Sequence, residues 1–90
     1  MSPMTAAALD AFQRGIVALE LGQRAGKDAH IRTAIAHLNY CLEWTTLAQV
    51  RAEAHLALGD AWLACADPDP VMAARHYRLA AEVLLCHLGC

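Results

Sequence analysis

The residues able to do chemistry here are four cysteines, five histidines and nine carboxylates in a chain of 90. His37 and Cys41 stand four positions apart, as do Cys86 and Cys90. On a helix that spacing puts both donors on one face, and two such pairs together would supply the tetrahedral nitrogen and sulfur set that suits Zn²⁺. His37, Cys41, Cys86 and Cys90 are therefore the candidate metal ligands. The competing reading makes Cys41 a small packing residue. Cys41, Cys65, Cys86 and Cys90 all fall inside helical patterns, not in the loop-rich spacing of a secreted disulfide scaffold, and so read as buried free thiols.

Catalysis finds less support, and no catalytic residue is assigned. Cys86 and His87 are sequence neighbours, which do not face each other on a helix. Cys65 and His76 could meet across a hairpin, but a buried structural thiol is inert. Gly22 and Gly26 lack the lysine-serine or lysine-threonine pair that completes a phosphate-binding loop. The one serine, Ser2, has no flanking glycines. Glu20, Glu43, Glu53, Asp60 and Glu82 read as solvated helix faces. The chain is expected not to be an enzyme and to need no cofactor.

Composition narrows the partners. The net charge is −2, with the seven Lys and Arg residues scattered, whereas nucleic-acid binding relies on clustered cations. No charge-free apolar run reaches the roughly 18–20 residues that span a bilayer. Met1-Ser2-Pro3-Met4-Thr5 lacks the basic and apolar regions of a signal peptide, so a cytoplasmic location is expected, with no nucleic-acid or membrane partner. The excess of Arg over Lys and the abundance of Ala point to a GC-rich bacterial genome. Ninety residues make one domain, and such a chain buries only roughly 60–65% of its unfolded surface. Yet 58% of its residues are hydrophobic and its mean hydropathy is +0.30. Surplus apolar surface marks an interface, and the chain is expected to form a homodimer or larger homo-oligomer.

The elements that must position these groups are helices. A first helix is predicted from the Ser2-Pro3 cap to about Gly22, with Leu9, Phe12, Ile16 and Leu19 at helical spacing. A loop follows at residues 22–26. Asp28 is predicted to cap a second helix carrying Ile31, Ile35, Leu38 and Leu42 on one face. Thr46 and Gln49 read as a capping box for a third helix, whose stripe is Leu47, Val50, Ala54, Leu58, Ala61 and Cys65. Asp67-Pro68-Asp69-Pro70 ends it, with Asp69 as the cap and Pro70 as the first residue of a last helix. That helix is predicted to bury Ala73, Tyr77, Ala80, Ala81 and Leu84. Nothing reads as a strand.

The second and fourth helices repeat one another. Residues 34–44 align with 73–83, with Ala34, His37 and Glu43 matching Ala73, His76 and Glu82, 39 positions on. Gly15 and Leu19 match Gly59 and Leu63, 44 positions on. The difference of five predicts a longer loop in the first hairpin.

Leu58-Gly59, Trp62, Ala73, Tyr77 and Ala80 follow the pattern by which the second unit resembles the tetratricopeptide repeat (TPR) family. The first unit keeps Gly15, Ala34, Leu38 and Cys41, but has Arg14 and Ala18 where the family has leucine and an aromatic. The resemblance spans roughly residues 7 to 85. It implies an all-α fold of four antiparallel helices in two TPR-like hairpins, at about 4–45 and 46–88, with a simple four-helix bundle as the alternative. It also implies a peptide-binding groove along the first helix of each hairpin, at Leu9, Phe12, Ile16 and Leu19, and at Glu53, Leu56, Asp60 and Leu63. Members that clamp a terminal carboxylate need lysine, arginine and asparagine there, and this chain has none. The competing reading of the leucine-rich face is core or a dimer seam. Trp44, at the end of the second helix, is either an interface anchor or a staple between the hairpins.

The function expected is thus a protein-interaction module that self-associates through an apolar helical face. The alternative is a small dimeric bundle binding a metal ion through cysteine and histidine.

Overall fold

The computed structural model describes residues 3–89, and within them the chain is all-α: α1 (Pro3–Ala25), α2 (Asp28–Trp44), α3 (Ala48–Ala64) and α4 (Pro70–Gly89), with no strand. The Ser2 cap lies outside the described residues.

The first hairpin closes on a seam of small residues. Ala8, Ala11, Gly15, Ala18 and Gly22 are buried along α1 at alternating spacings of three and four. Ile31, Ala34, Leu38 and Cys41 are buried along α2 at the same spacings. A methyl group added at Gly15 would lie 2.8 Å from Leu38 Cγ, and one at Gly22 would lie 2.4 Å from Ile31 Cδ1. The glycines therefore let the large α2 side chains sit directly on the α1 backbone. Ile31, Leu38 and Leu58 are fully buried, each stabilising the fold by about 1.5–3 kcal/mol.

Gly22 does not start a loop. α1 continues to Ala25 and stops where Gly26 takes φ +66°. The Lys27 N–H then donates to the Gly22 carbonyl at 3.2 Å, a Schellman end that wants glycine at the left-handed position. The first hairpin consequently has the shorter connection, Gly26 and Lys27, against residues 65–69 in the second. The five extra residues of the first unit are taken up by longer helices, correcting the longer loop expected from the repeat.

Two predicted caps are also corrected. Lys27, not Asp28, is the N-cap of α2, and Leu47 is the N-cap of α3 with no side-chain cap bond. Thr45 Oγ1 instead accepts the Leu47 N–H at 3.2 Å within the connection. The third cap stands: Asp69 Oδ1 accepts the Met72 N–H at 3.0 Å, with Pro70 opening α4.

α3 is the central helix. Ala54, Ala57, Leu58 and Ala61 join the core of the first hairpin, while Ala52, His55 and Gly59 are buried as well. Arg51 Nη1 donates to the Leu42 carbonyl at 3.1 Å, tying α3 to the end of α2. α3 packs on α1, α2 and α4, whereas α4 packs on α3 alone among the described residues. A simple closed bundle would bring α4 onto α1. The helices form two stacked hairpins with an open end instead.

On α4, Ala73 and Ala80 are buried as expected, while Tyr77, expected to be buried, is only half-buried. Ala81 and Leu84 are exposed, and His76 is buried in their stead. Leu47, expected in the α3 stripe, is exposed too.

Candidate functional site

α1 and α3 lie side by side on one surface of the stack, and the cleft between them holds about 370 Å³. Phe12, Ile16 and Leu19 reach it from α1, and Glu53, Leu56 and Asp60 from α3. These are six of the eight positions at which the TPR resemblance implies a groove. Leu9 and Leu63 stand outside it. Glu20, Gln23 and Ala57 complete the lining, and none of the three was singled out from the sequence for this cleft.

The chemistry of the cleft is simple. Leu19 is buried, Phe12 and Ile16 are half-buried against the core, and Leu56 is exposed. They make an apolar floor. Glu20, Glu53 and Asp60 are exposed around it, and no Lys or Arg lines it among the described residues. Asp60 Oδ1 accepts the Tyr77 hydroxyl hydrogen bond from α4, which holds that carboxylate in place. The bond, then burial, then Asp60's charge push the Tyr77 phenol up to about 12.

A larger cleft of about 520 Å³ lies across the molecule, lined by residues including Asp28, Arg32, Trp62, Cys65 and Asp69. Two of its carboxylates are already engaged. Asp28 accepts the Ala66 N–H at 2.9 Å and Arg32 Nε at 2.7 Å, and Asp69 caps α4. The backbone bond, then Arg32, holds the Asp28 carboxyl below its usual range. Trp62 Nε1 is buried beside this cleft with no acceptor among the described residues.

The candidate metal ligands are not brought together. Cys41 is wholly buried in the core, where burial pushes its thiol up. His37 faces α1 beside Arg14. Cys86 is exposed on α4, and Cys90 lies outside the described residues. α2 and α4 share no contact among the described residues. No group of three or more His, Cys, Asp or Glu converges among the described residues. The expectation of uniformly buried thiols is corrected too: Cys41 is buried, Cys65 half-buried and Cys86 exposed.

Cys65 and His76 take other partners. The Cys65 thiol donates to the Ala61 carbonyl at 3.2 Å. His76 Nδ1 lies 3.0 Å from His55 Nδ1, inside the α3–α4 seam. Trp44 is partly exposed, and its ring packs on Tyr40 one turn earlier, with centroids 6.2 Å apart.

No helix among the described residues is long and apolar enough to cross a membrane. Comparison with protein-family models, with curated proteins and with solved structures found no match to this chain.

Proposed function

We propose that this chain is a protein-interaction module of TPR-like architecture, without catalytic activity, that holds an amphipathic segment of a partner protein in the α1–α3 cleft. The observation that carries this reading is the pairing of an apolar floor (Phe12, Ile16, Leu19 and Leu56) with a rim of like charge (Glu20, Glu53 and Asp60). Such a surface favours a segment that interleaves apolar side chains with Lys or Arg. Apolar contacts supply affinity, and the acidic rim selects the partner's charge and raises the association rate. The TPR-like reading is supported by the repeat itself. Gly15 receives Leu38, and Gly59 receives Tyr77, at matching positions of the two hairpins.

The test uses two labelled peptides, one of leucine interleaved with lysine and one of leucine interleaved with glutamate. Fluorescence anisotropy is expected to show binding of the lysine peptide, weakened about tenfold or more by Leu56→Lys or Glu53→Lys and by raised salt. Both substitutions fall on exposed residues, so folding should be preserved. Equal binding of the two peptides, or binding indifferent to Leu56→Lys, would defeat the proposal.

A further inference from the structure

α4 is held to the molecule differently from the other three helices. The hydrophobic core is assembled from α1, α2 and α3, and no α4 side chain belongs to it among the described residues. α4 packs on α3 alone among the described residues, and the side chains it buries there are Ala73, His76 and Ala80. Two of these are single methyl groups, so a histidine is the largest side chain that α4 buries. Its ring meets that of His55 with the Nδ1 atoms 3.0 Å apart and the centroids 5.3 Å apart. The groups around the pair do not compensate a proton gained there. Arg51, one turn before His55, and Arg75, beside His76, both oppose a positive ring. From α4, Glu82, Cys86 and His87 share a shallow cleft with His55 and Arg51, but Glu82 is exposed and faces Arg78 at 3.7 Å. From α2 come the Cys41 thiol, kept neutral by burial, and the Leu42 carbonyl, which accepts from Arg51. Glu53 and Asp60 line the α1–α3 cleft instead.

We infer that the His55–His76 pair is an acid-operated latch: protonation of the rings releases α4 from α3 as a unit, while α1, α2 and α3 keep their shared core. Docked, the pair needs one Nδ1 to donate and the other to accept, and two protonated rings offer donors alone. Released, each imidazole enters water and takes up its proton at the ordinary value. Protons therefore favour the released state. Burial, then His76, then Arg51 hold His55 at about 4, against 6.5 for a free ring, and burial, then Arg75, lowers His76. The docked state is thus fully favoured above pH 6.5 and progressively less so as pH falls toward about 4. A small seam makes this decisive, because Ala73 and Ala80 offer little apolar burial to hold the helix once the rings part. Tyr77 leaves with α4, vacating the space over Gly59 and freeing Asp60.

The test is native-state hydrogen exchange of the whole chain through a urea series at pH 7 and pH 5, the lower value lying above the ordinary carboxylate range. Rates are corrected for the intrinsic pH dependence of amide exchange. The α4 amides should share one opening with a weaker urea dependence than the α1 and α2 amides show, because releasing one helix exposes less surface than unfolding the chain. That opening should be about twentyfold or more as populated at pH 5, the factor that His55 alone contributes between its docked and free values. His55→Leu/His76→Leu should remove most of the rise. Should that variant not fold, the imidazole proton shifts of His55 and His76 in the unaltered chain should move together with the α4 opening. Exchange of α4 in step with α1 and α2, at the same urea dependence, overturns the inference. So does an α4 opening indifferent to pH, a rise that persists in the double variant, or rings that titrate near 6.5 while α4 stays closed.

Discussion

His55 and His76 meet through their Nδ1 atoms at 3.0 Å, in the α3–α4 seam, where Ala52, Gly59, Ala73 and Ala80 are also buried. One Nδ1 must donate and the other accept, so the bond is lost when both rings are protonated, and burial opposes the first proton as well. Burial, then His76, then Arg51 lowers His55 to about 4. Burial and Arg75 lower His76 as well.

These folded-state values lie below the unfolded value of 6.5, so the unfolded chain binds protons first as pH falls. The neutral pair's contribution is complete above pH 6.5 and is lost as pH falls toward about 4. The loss is on the order of 1–3 kcal/mol. Thermal melts between pH 7.5 and 4.5 should show it, and His55→Leu/His76→Leu should flatten that dependence. Either single change strands a buried ring nitrogen and is expected to lower stability by about 1–3 kcal/mol at neutral pH.

Gly59 is occupied by Tyr77: an added methyl would lie 2.5 Å from Cε1. Alanine is the better helix former by up to about 1 kcal/mol, yet Gly59→Ala is expected to destabilise by about 1–3 kcal/mol through overpacking. Urea denaturation decides which effect wins. Gly26→Ala offers a contrast, because nothing lies within 4 Å and only the left-handed backbone resists. It should cost about 1 kcal/mol.

Asp28 reaches 38 residues along the chain to hold the Ala66 amide. Its lowered pKa means this tie is present above the ordinary carboxylate range and is lost as pH falls through that depressed value. Asp28→Asn should speed hydrogen exchange at Ala66 without altering exchange in the α1–α2 core. Exchange at Ala66 unchanged by the substitution would show that the loop is held by other contacts.

Tyr77 should ionise near 12, and ultraviolet titration of the phenolate measures this directly. Asp60→Asn removes the charge that raises it, and the titration should move back toward 10. The native bond favours the protonated phenol, so its contribution fades as pH climbs between those values. Peptide binding in the cleft should shift the same titration, because Asp60 belongs to both.

Much of the architecture was legible in the residues. Apolar spacing marks four helices, and Asp69-Pro70 starts the last one with a cap that the structure retains. The TPR resemblance implies a groove along the first helix of each hairpin, and Phe12, Ile16 and Leu19 do share a cleft with Glu53, Leu56 and Asp60. Gln23 was missed at the cleft because the predicted first helix stops at about Gly22, and Glu20 because an exposed carboxylate on a helix reads as a solvated face. Read alone, Gly22 looks like a breaker, but it is helical because Ile31 occupies the space its side chain would need.

The sequence by itself determined what is local: helix-forming stretches, proline and aspartate breaks, the 39-residue correspondence and an excess of apolar surface. Each depends on neighbours within a few residues or on counting. Only the tertiary structure decided which of two like residues does what. His37 and His76 occupy the same place in the repeat, yet His37 faces an α1 that carries Ala11 where α3 carries His55, and only His76 gains a ring partner. In the same way, Leu38 is wholly covered and Tyr77 only half, since α3 and α1 both pack on α2, whereas among the described residues α4 packs on α3 alone. Burial and hydrogen bonding are properties of what arrives from elsewhere in the chain, and a residue's own type and spacing do not carry them.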